Sequence, residues 1–160
     1  MAEMRPQLTG EGLRSLLPMV KYSSKNTPER YRHLVSLRAS VINDCRACIT
    51  THRRDARRDG WSEDRILRAE DWTNYTESYD EKETIVLRLT DEITHIDGYE
   101  SISDELWDRA VELFGIAGTH NILVSIFAIN TFNRLSITTR TDPQIIKGTI
   151  DFDLDYDAHL

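Results

Sequence analysis

The sequence predicts an all-α fold in one domain, on three observations. Apolar residues recur at three- and four-residue steps, as in Leu34, Leu37 and Val41 or Ile85, Leu89 and Ile93, which stacks them on one helical face. No run of alternating apolar and polar residues, the mark of a half-buried strand, precedes the C-terminal tail. The stretch from Thr119 to Ile137 is apolar nearly all round, so a helix there must be central or covered by another subunit. A chain of 160 residues, 39% hydrophobic and 29% charged, suits a single domain with a real core.

The elements follow in order. Leu13, Leu16, Leu17 and Val20 predict a first short helix after Thr9. Thr27 reads as the N-cap of the next, with Pro28 at its first position and Glu29 beside the positive helix end. Asn43 and Asp44 favour a break, because both side chains compete for backbone hydrogen bonds. A new helix from Asp44 then carries both cysteines in its first turn and stops at Gly60. Ser62-Glu63-Asp64 opens another, with Ile66 and Leu67 facing inward, and Asp71 to Asp80 reads as a connection. From about Asp80, Ile85, Leu89, Ile93 and Ile96 mark a helix ending near Gly98. Ser103 caps the next, with Leu106, Ala110, Leu113 and Phe114 inside, ahead of the apolar stretch from Thr119. Asp142-Pro143 starts a last short turn. The tail from Asp151 to Asp157 alternates apolar and acidic residues and reads as a disordered terminus rather than an arm on a neighbouring subunit. Residues 1–26 are thus expected to form an N-terminal helical extension, 27–140 the domain proper and 141–160 a tail.

The net charge of −7 favours neither nucleic acid nor an anionic membrane. No apolar stretch is expected to approach the roughly 20 residues of a membrane span. The start, Met1-Ala2-Glu3-Met4-Arg5-Pro6, lacks the features of a secretory signal. The expected location is cytoplasmic, where a cysteine pair is more often catalytic or metal-binding than a structural staple.

Both cysteines fall in Cys45-Arg46-Ala47-Cys48-Ile49-Thr50-Thr51-His52. Steps of three and four place Cys45, Cys48 and His52 on one helical face. The thiolate is the nucleophile, and both a helix start and a nearby imidazolium favour it. These effects compete, since Cys45 lies nearer the helix start and Cys48 one turn from His52. The second thiol can resolve a sulfenic acid on the first as an internal disulfide. Such steps describe a peroxidase half-reaction and equally a dithiol oxidoreductase. A leaving oxygen needs a proton, which His52 can supply; His33 is a second candidate if the break folds its helix back. A structural zinc site would want a fourth ligand beyond these two thiols and one imidazole, and a buried, inert pair is the remaining alternative.

The segment from Leu34 to His52, followed by Asp55-Ala56 and Gly60, resembles the AhpD-like (alkylhydroperoxidase D) branch of the carboxymuconolactone decarboxylase family. Weaker similarities are Asp80-Glu81-Lys82-Glu83, Ser103 to Trp107, and Ile129-Asn130-Thr131-Phe132-Asn133-Arg134-Leu135. The resemblance spans about residues 31–140. It implies an all-helical fold assembling as trimers or hexamers and thiol peroxidase chemistry on hydroperoxides, without cofactor or metal. It also implies that Cys48 is peroxidatic, Cys45 resolving and His52 part of the proton relay, with an unidentified thiol reductant closing the cycle. The family's relay glutamate, twelve residues before the first cysteine, is His33 in this sequence. Asp44 stands where a glycine is often found; its carboxylate is expected to cap the helix and to oppose a thiolate. A dithiol oxidoreductase or redox sensor, and a non-redox ligand-binding member of the same fold, are the alternatives.

The other notable residues have plainer roles. His95, His120 and His159 belong to no motif and are expected to be structural or exposed. Asn130 and Asn133 share a face of an apolar helix and are expected to make packing or interface hydrogen bonds. Arg53 to Asp59 reads as a solvated face with local ion pairs, or as a docking surface for a reductant. Trp72, Tyr75 and Tyr79 are expected in the core or a cavity wall.

Overall fold

The computed structural model describes residues 3–144, which are helical with no strand among them. The helices are α1 (Gly10–Arg14), α2 (Leu17–Asn26), α3 (Glu29–Ile42), α4 (Arg46–Arg58), α5 (Glu63–Glu70), α6 (Glu81–Thr94) and α7 (Asp104–Thr139). Two 3-10 turns, Trp72–Asn74 and Thr76–Ser78, join α5 to α6. The acidic tail and His159 lie outside the described residues.

Helix α3 is the hub, packed on α4, α5, α6 and α7, while α2 lies along α7. Leu34, Val35 and Leu37 of α3 join Val86, Leu87 and Leu89 of α6 and Leu106, Ala110 and Ile126 of α7 in one buried cluster. Each large aliphatic side chain sealed there contributes about 1.5–3 kcal/mol relative to exposure. The all-α expectation holds, and so does the break between α3 and α4.

Several local expectations change once neighbours are present. The first helix is two: α1 ends at Arg14, and α2 begins at Leu17 with Pro18 in its first turn. Thr27 does not cap α3. Its hydroxyl donates to the Asn121 carbonyl oxygen and accepts from Ser125, so α7 takes the group a cap would use. Pro28 occupies the N-cap position instead. Leu67 is exposed, because α5 buries Ile66, Ala69 and Glu70, and adjacent helical residues point about 100° apart. Helix α6 carries the Asp80–Glu83 capping box but ends at Thr94, so Ile96 leaves the stripe and is exposed.

Helix α7 contains the two predicted helices, joined at a kink. Gly115 interrupts it at φ 69° and ψ 167°, a backbone essentially restricted to glycine. By length and composition α7 is apolar enough to cross a membrane, contrary to the expectation that no stretch approaches that size. The central helix of a soluble bundle passes the same test, and α7 lies against α2, α3 and α6. Part of it remains apolar and exposed at Ile116, Phe127 and Ile137.

Candidate functional site

The break before the cysteines is built from a left-handed residue and a set of amides. Asp44 sits at φ 50°, and the Cys45 N–H reaches back to the Ser40 carbonyl oxygen at 2.9 Å. Most L residues lose roughly 1–2 kcal/mol in that conformation, and Asp and Asn tolerate it best. Asp44→Ala is therefore expected to lower stability by about 1 kcal/mol while Asp44→Gly does not; urea unfolding of the two variants checks this. The expected side-chain cap is absent: Cys45 itself is the N-cap residue of α4, without a side-chain cap bond, and Asp44 points to solvent.

One residue earlier, the Asn43 amide donates to the side-chain oxygens of Asn130 (3.0 Å) and Asn133 (2.8 Å) on α7 and to the Ala39 carbonyl. Asn133 donates to Ser40, and Asn130 to Thr94 and the Ile126 carbonyl. Buried amides need such partners, and this set fastens the break to α7. The sequence marked Asn43 only as a helix breaker; its partners on α7 are about 90 residues away.

Cys45 and Cys48 form a disulfide, with Cα atoms 5.3 Å apart. Both lie in the first turn of α4, where free N–H groups and the helix dipole favour a thiolate. Cys45 is 1% exposed and Cys48 6%, so the remaining access leads to Cys48. The Cys48 sulfur is 3.9 Å from the Phe132 carbonyl oxygen of α7. Two shallow surface grooves, one along α6 and α7 and one beside Arg38 and Tyr75, are lined by neither cysteine nor by His52.

His52 stands one turn beyond Cys48, with 24% of its side chain accessible and Nδ1 4.0 Å from an Asp55 carboxylate oxygen. Burial, and then the charges of His33 and Arg54, push its pKa down to about 4. The ring is therefore neutral at pH 7, which corrects the expectation that an imidazolium would add charge to a thiol. A neutral imidazole can accept a proton before giving one back. Between pH 6.5 and about 4 the unfolded chain binds a proton at this ring and the folded chain does not. This group's contribution is fully present above pH 6.5 and is lost as pH falls through that window, by up to about 3 kcal/mol. Urea unfolding from pH 7 to 4 should show this loss, and His52→Gln should flatten it.

The fold-back of α4 on α3 brings His33 within electrostatic reach of His52. His33 is buried, its Nε2 3.0 Å from Asp59 Oδ2 and its ring edge-on to Trp61 at 5.2 Å. Burial lowers the His33 pKa despite the carboxylate. The Arg58 hydrogen bond, with His33 adding to it, lowers that of Asp59. Asp59 is fixed by the end of α4: Gly60 at φ 89° lets its own N–H bond the Arg57 carbonyl and the Trp61 N–H bond that of Ala56, a Schellman closure. Sequence reasoning passed over Asp59 as part of a solvated face. No sequence pattern ties it to His33, 26 positions earlier; the contact follows from α4 folding back on α3.

The remaining charges of α4 are largely compensated. Arg53 forms a two-pronged pair with buried Glu70 at 2.6 Å, Arg57 pairs with Glu63, and Arg58 with Asp55 and Asp59. His95 and His120 are exposed, the latter beside Trp107. Trp72 is buried, whereas Tyr75 is exposed under Arg68.

Comparison with known proteins places this geometry among relatives. The sequence profile of the carboxymuconolactone decarboxylase family matches residues 13–92. The uncharacterized protein YdfG of Bacillus subtilis (strain 168) is 33% identical over 132 residues, covering 82% of this chain and 88% of the relative. A solved structure of a protein of unknown function from Agrobacterium tumefaciens, ATU0492, described as a candidate antioxidant defence protein AhpD, superposes with a TM-score of 0.80 at 29% identity. That match covers 88% of this chain and 97% of the other.

Proposed function

The chain belongs to the carboxymuconolactone decarboxylase family, on its AhpD-like side, and from that premise we propose that it is a cysteine-based peroxidase cycling Cys45 and Cys48 between dithiol and disulfide. The observation that supports this best is the cysteine pair closed across the first turn of α4 with His52 one turn further on.

The Cys48 thiol first gives its proton to the neutral His52 imidazole. The thiolate attacks one oxygen of the hydroperoxide; the O–O bond breaks, and the departing alkoxide takes the proton back from His52 and leaves as an alcohol. Cys48 is then a sulfenic acid. The Cys45 thiol attacks its sulfur, the S–S bond forms, and hydroxide with the Cys45 proton leaves as water. A dithiol reductant returns two electrons and two protons to the pair. His33, buried beside Asp59 and within electrostatic reach of His52, is the second group placed to relay a proton. No cofactor or metal enters these steps.

A second reading, a dithiol oxidoreductase or redox sensor acting on a protein thiol, draws on the Cys45–Cys48 bond itself, since a pair closed across the first turn of a helix also suits thiol–disulfide exchange. Peroxide consumption with several dithiol reductants, run beside mass spectrometry of the cysteine pair, separates the two. Turnover of an alkyl hydroperoxide with cycling of the Cys45–Cys48 bond is the expected result. Disulfide exchange with negligible peroxide turnover would favour the second.

We also infer self-association as a trimer or hexamer, supported by the exposed apolar residues Ile116, Phe127 and Ile137 of α7. Monodisperse assembly is expected in sedimentation at micromolar concentration, and a monomer there would overturn it.

A further inference from the structure

The geometry points to a divalent-cation site formed by Glu29, His33 and Asp59, apart from the cysteine pair though sharing His33 with the proposed proton path, and tested without the peroxidase reaction. One ligand atom from each side chain, the imidazole nitrogen and two carboxylate oxygens, lies within 4.8 Å of both others. Among the described residues no other group of three or more histidine, cysteine or carboxylate side chains converges so closely.

Three features favour a metal over a chance cluster. The His33 Nε2 to Asp59 Oδ2 separation is 3.0 Å, and ligands about 2.0–2.2 Å from a zinc ion stand roughly 3–3.5 Å from each other. Only Glu29 must draw in. It is exposed and one helical turn before His33 on α3, so rotation of its side chain suffices. Rigidity comes from the other two: His33 is packed in the α3–α4 seam against Trp61, and Asp59 is fixed by the closure of α4 at Gly60. One neutral imidazole and two carboxylates give a mixed nitrogen and oxygen set, and three protein ligands leave positions for water. Such a set accepts first-row divalent ions, with zinc ahead of manganese or iron in affinity.

In the metal-free chain the Arg58 guanidinium serves as counter-ion, with Nε 3.0 Å from Asp59 Oδ1 and a second nitrogen 3.2 Å from Oδ2. Its side chain is 49% exposed, so it can swing to solvent when a cation arrives. The His33 ring must then present its Nε2 lone pair, which needs only a shift of its proton to Nδ1.

The test is isothermal calorimetry of the full chain with zinc ion, after complete oxidation to the disulfide so that no thiolate competes. One zinc per chain is expected. Replacing a partner outside the ligand set already costs 10–100-fold in metal affinity, so loss of a ligand by Glu29→Gln or Asp59→Asn should weaken binding more than about tenfold. Glu105→Gln, an exposed carboxylate on α7, should leave it unchanged. His33→Gln should abolish binding; if burial makes that variant unfold, the exposed Glu29→Gln decides alone. Absence of zinc binding by the oxidised protein overturns the assignment. So does binding that Glu29→Gln and Asp59→Asn leave intact, or that Glu105→Gln weakens equally.

Discussion

Cys48→Ser is expected to reduce alkyl hydroperoxide turnover by on the order of a thousandfold or more, the scale for loss of an attacking nucleophile. A serine hydroxyl stays protonated where a thiol in the first turn of α4 ionises, and it forms no sulfenic acid. Cys45→Ser should differ in kind. With the attacking sulfur intact and its resolving partner gone, one equivalent of peroxide should be consumed, and mass spectrometry should find one added oxygen on Cys48. Steady turnover should then stop unless an external thiol resolves the sulfenic acid. The order of the two cysteines rests on access, since Cys48 keeps 6% of its surface and Cys45 only 1%, and on the position of His52 one turn beyond Cys48. If Cys48→Ser trapped the sulfenic acid on Cys45, the roles would be reversed. Undiminished peroxide consumption by Cys48→Ser would end the peroxidase proposal.

Arg38→Met should have the largest effect on stability among single polar substitutions, about 3 kcal/mol. Arg38 of α3 grips Asp91 of α6 through two nitrogens at 2.6 and 3.0 Å and donates a third bond, 2.6 Å, to the Glu70 carbonyl oxygen at the end of α5. Trp72 adds its indole N–H to the same carboxylate at 3.0 Å. The Arg38 and Asp91 side chains are only 15% and 20% exposed, so removing the cation strands a carboxylate that water hydrates poorly. The double variant Arg38→Met with Asp91→Leu should recover much of the loss, because replacing both partners leaves no stranded charge. Exposed pairs such as Arg57 with Glu63 should matter far less. Urea midpoints at constant slope measure all of these. A loss below about 1 kcal/mol for Arg38→Met would show that Asp91 finds water enough without it.

Much of the fold was legible because its signals are local. Capping residues, glycine stops and three-to-four spacing act within one or two turns, and they located α3, α5, α6 and the break at Asn43-Asp44. The misjudged residues share a cause. Thr27 has the chemistry of a cap, but Asn121 and Ser125 of α7 claim its hydroxyl. Ile96 fits the apolar spacing, but the helix it would extend has ended at Thr94. Leu67 sits beside Ile66, and an eight-residue helix has only one buried face to offer.

The site divides in the same way. By itself, the sequence determined that two thiols and His52 fall at three- and four-residue steps just after a break, because spacing along the chain is covalent and the helical repeat turns it into a shared face. Only the tertiary structure decided that His52 is neutral, that Asn43 is fastened to α7, and that His33 meets Asp59. Those outcomes depend on burial and on which helices fold against each other, and both are set by neighbours distant along the chain.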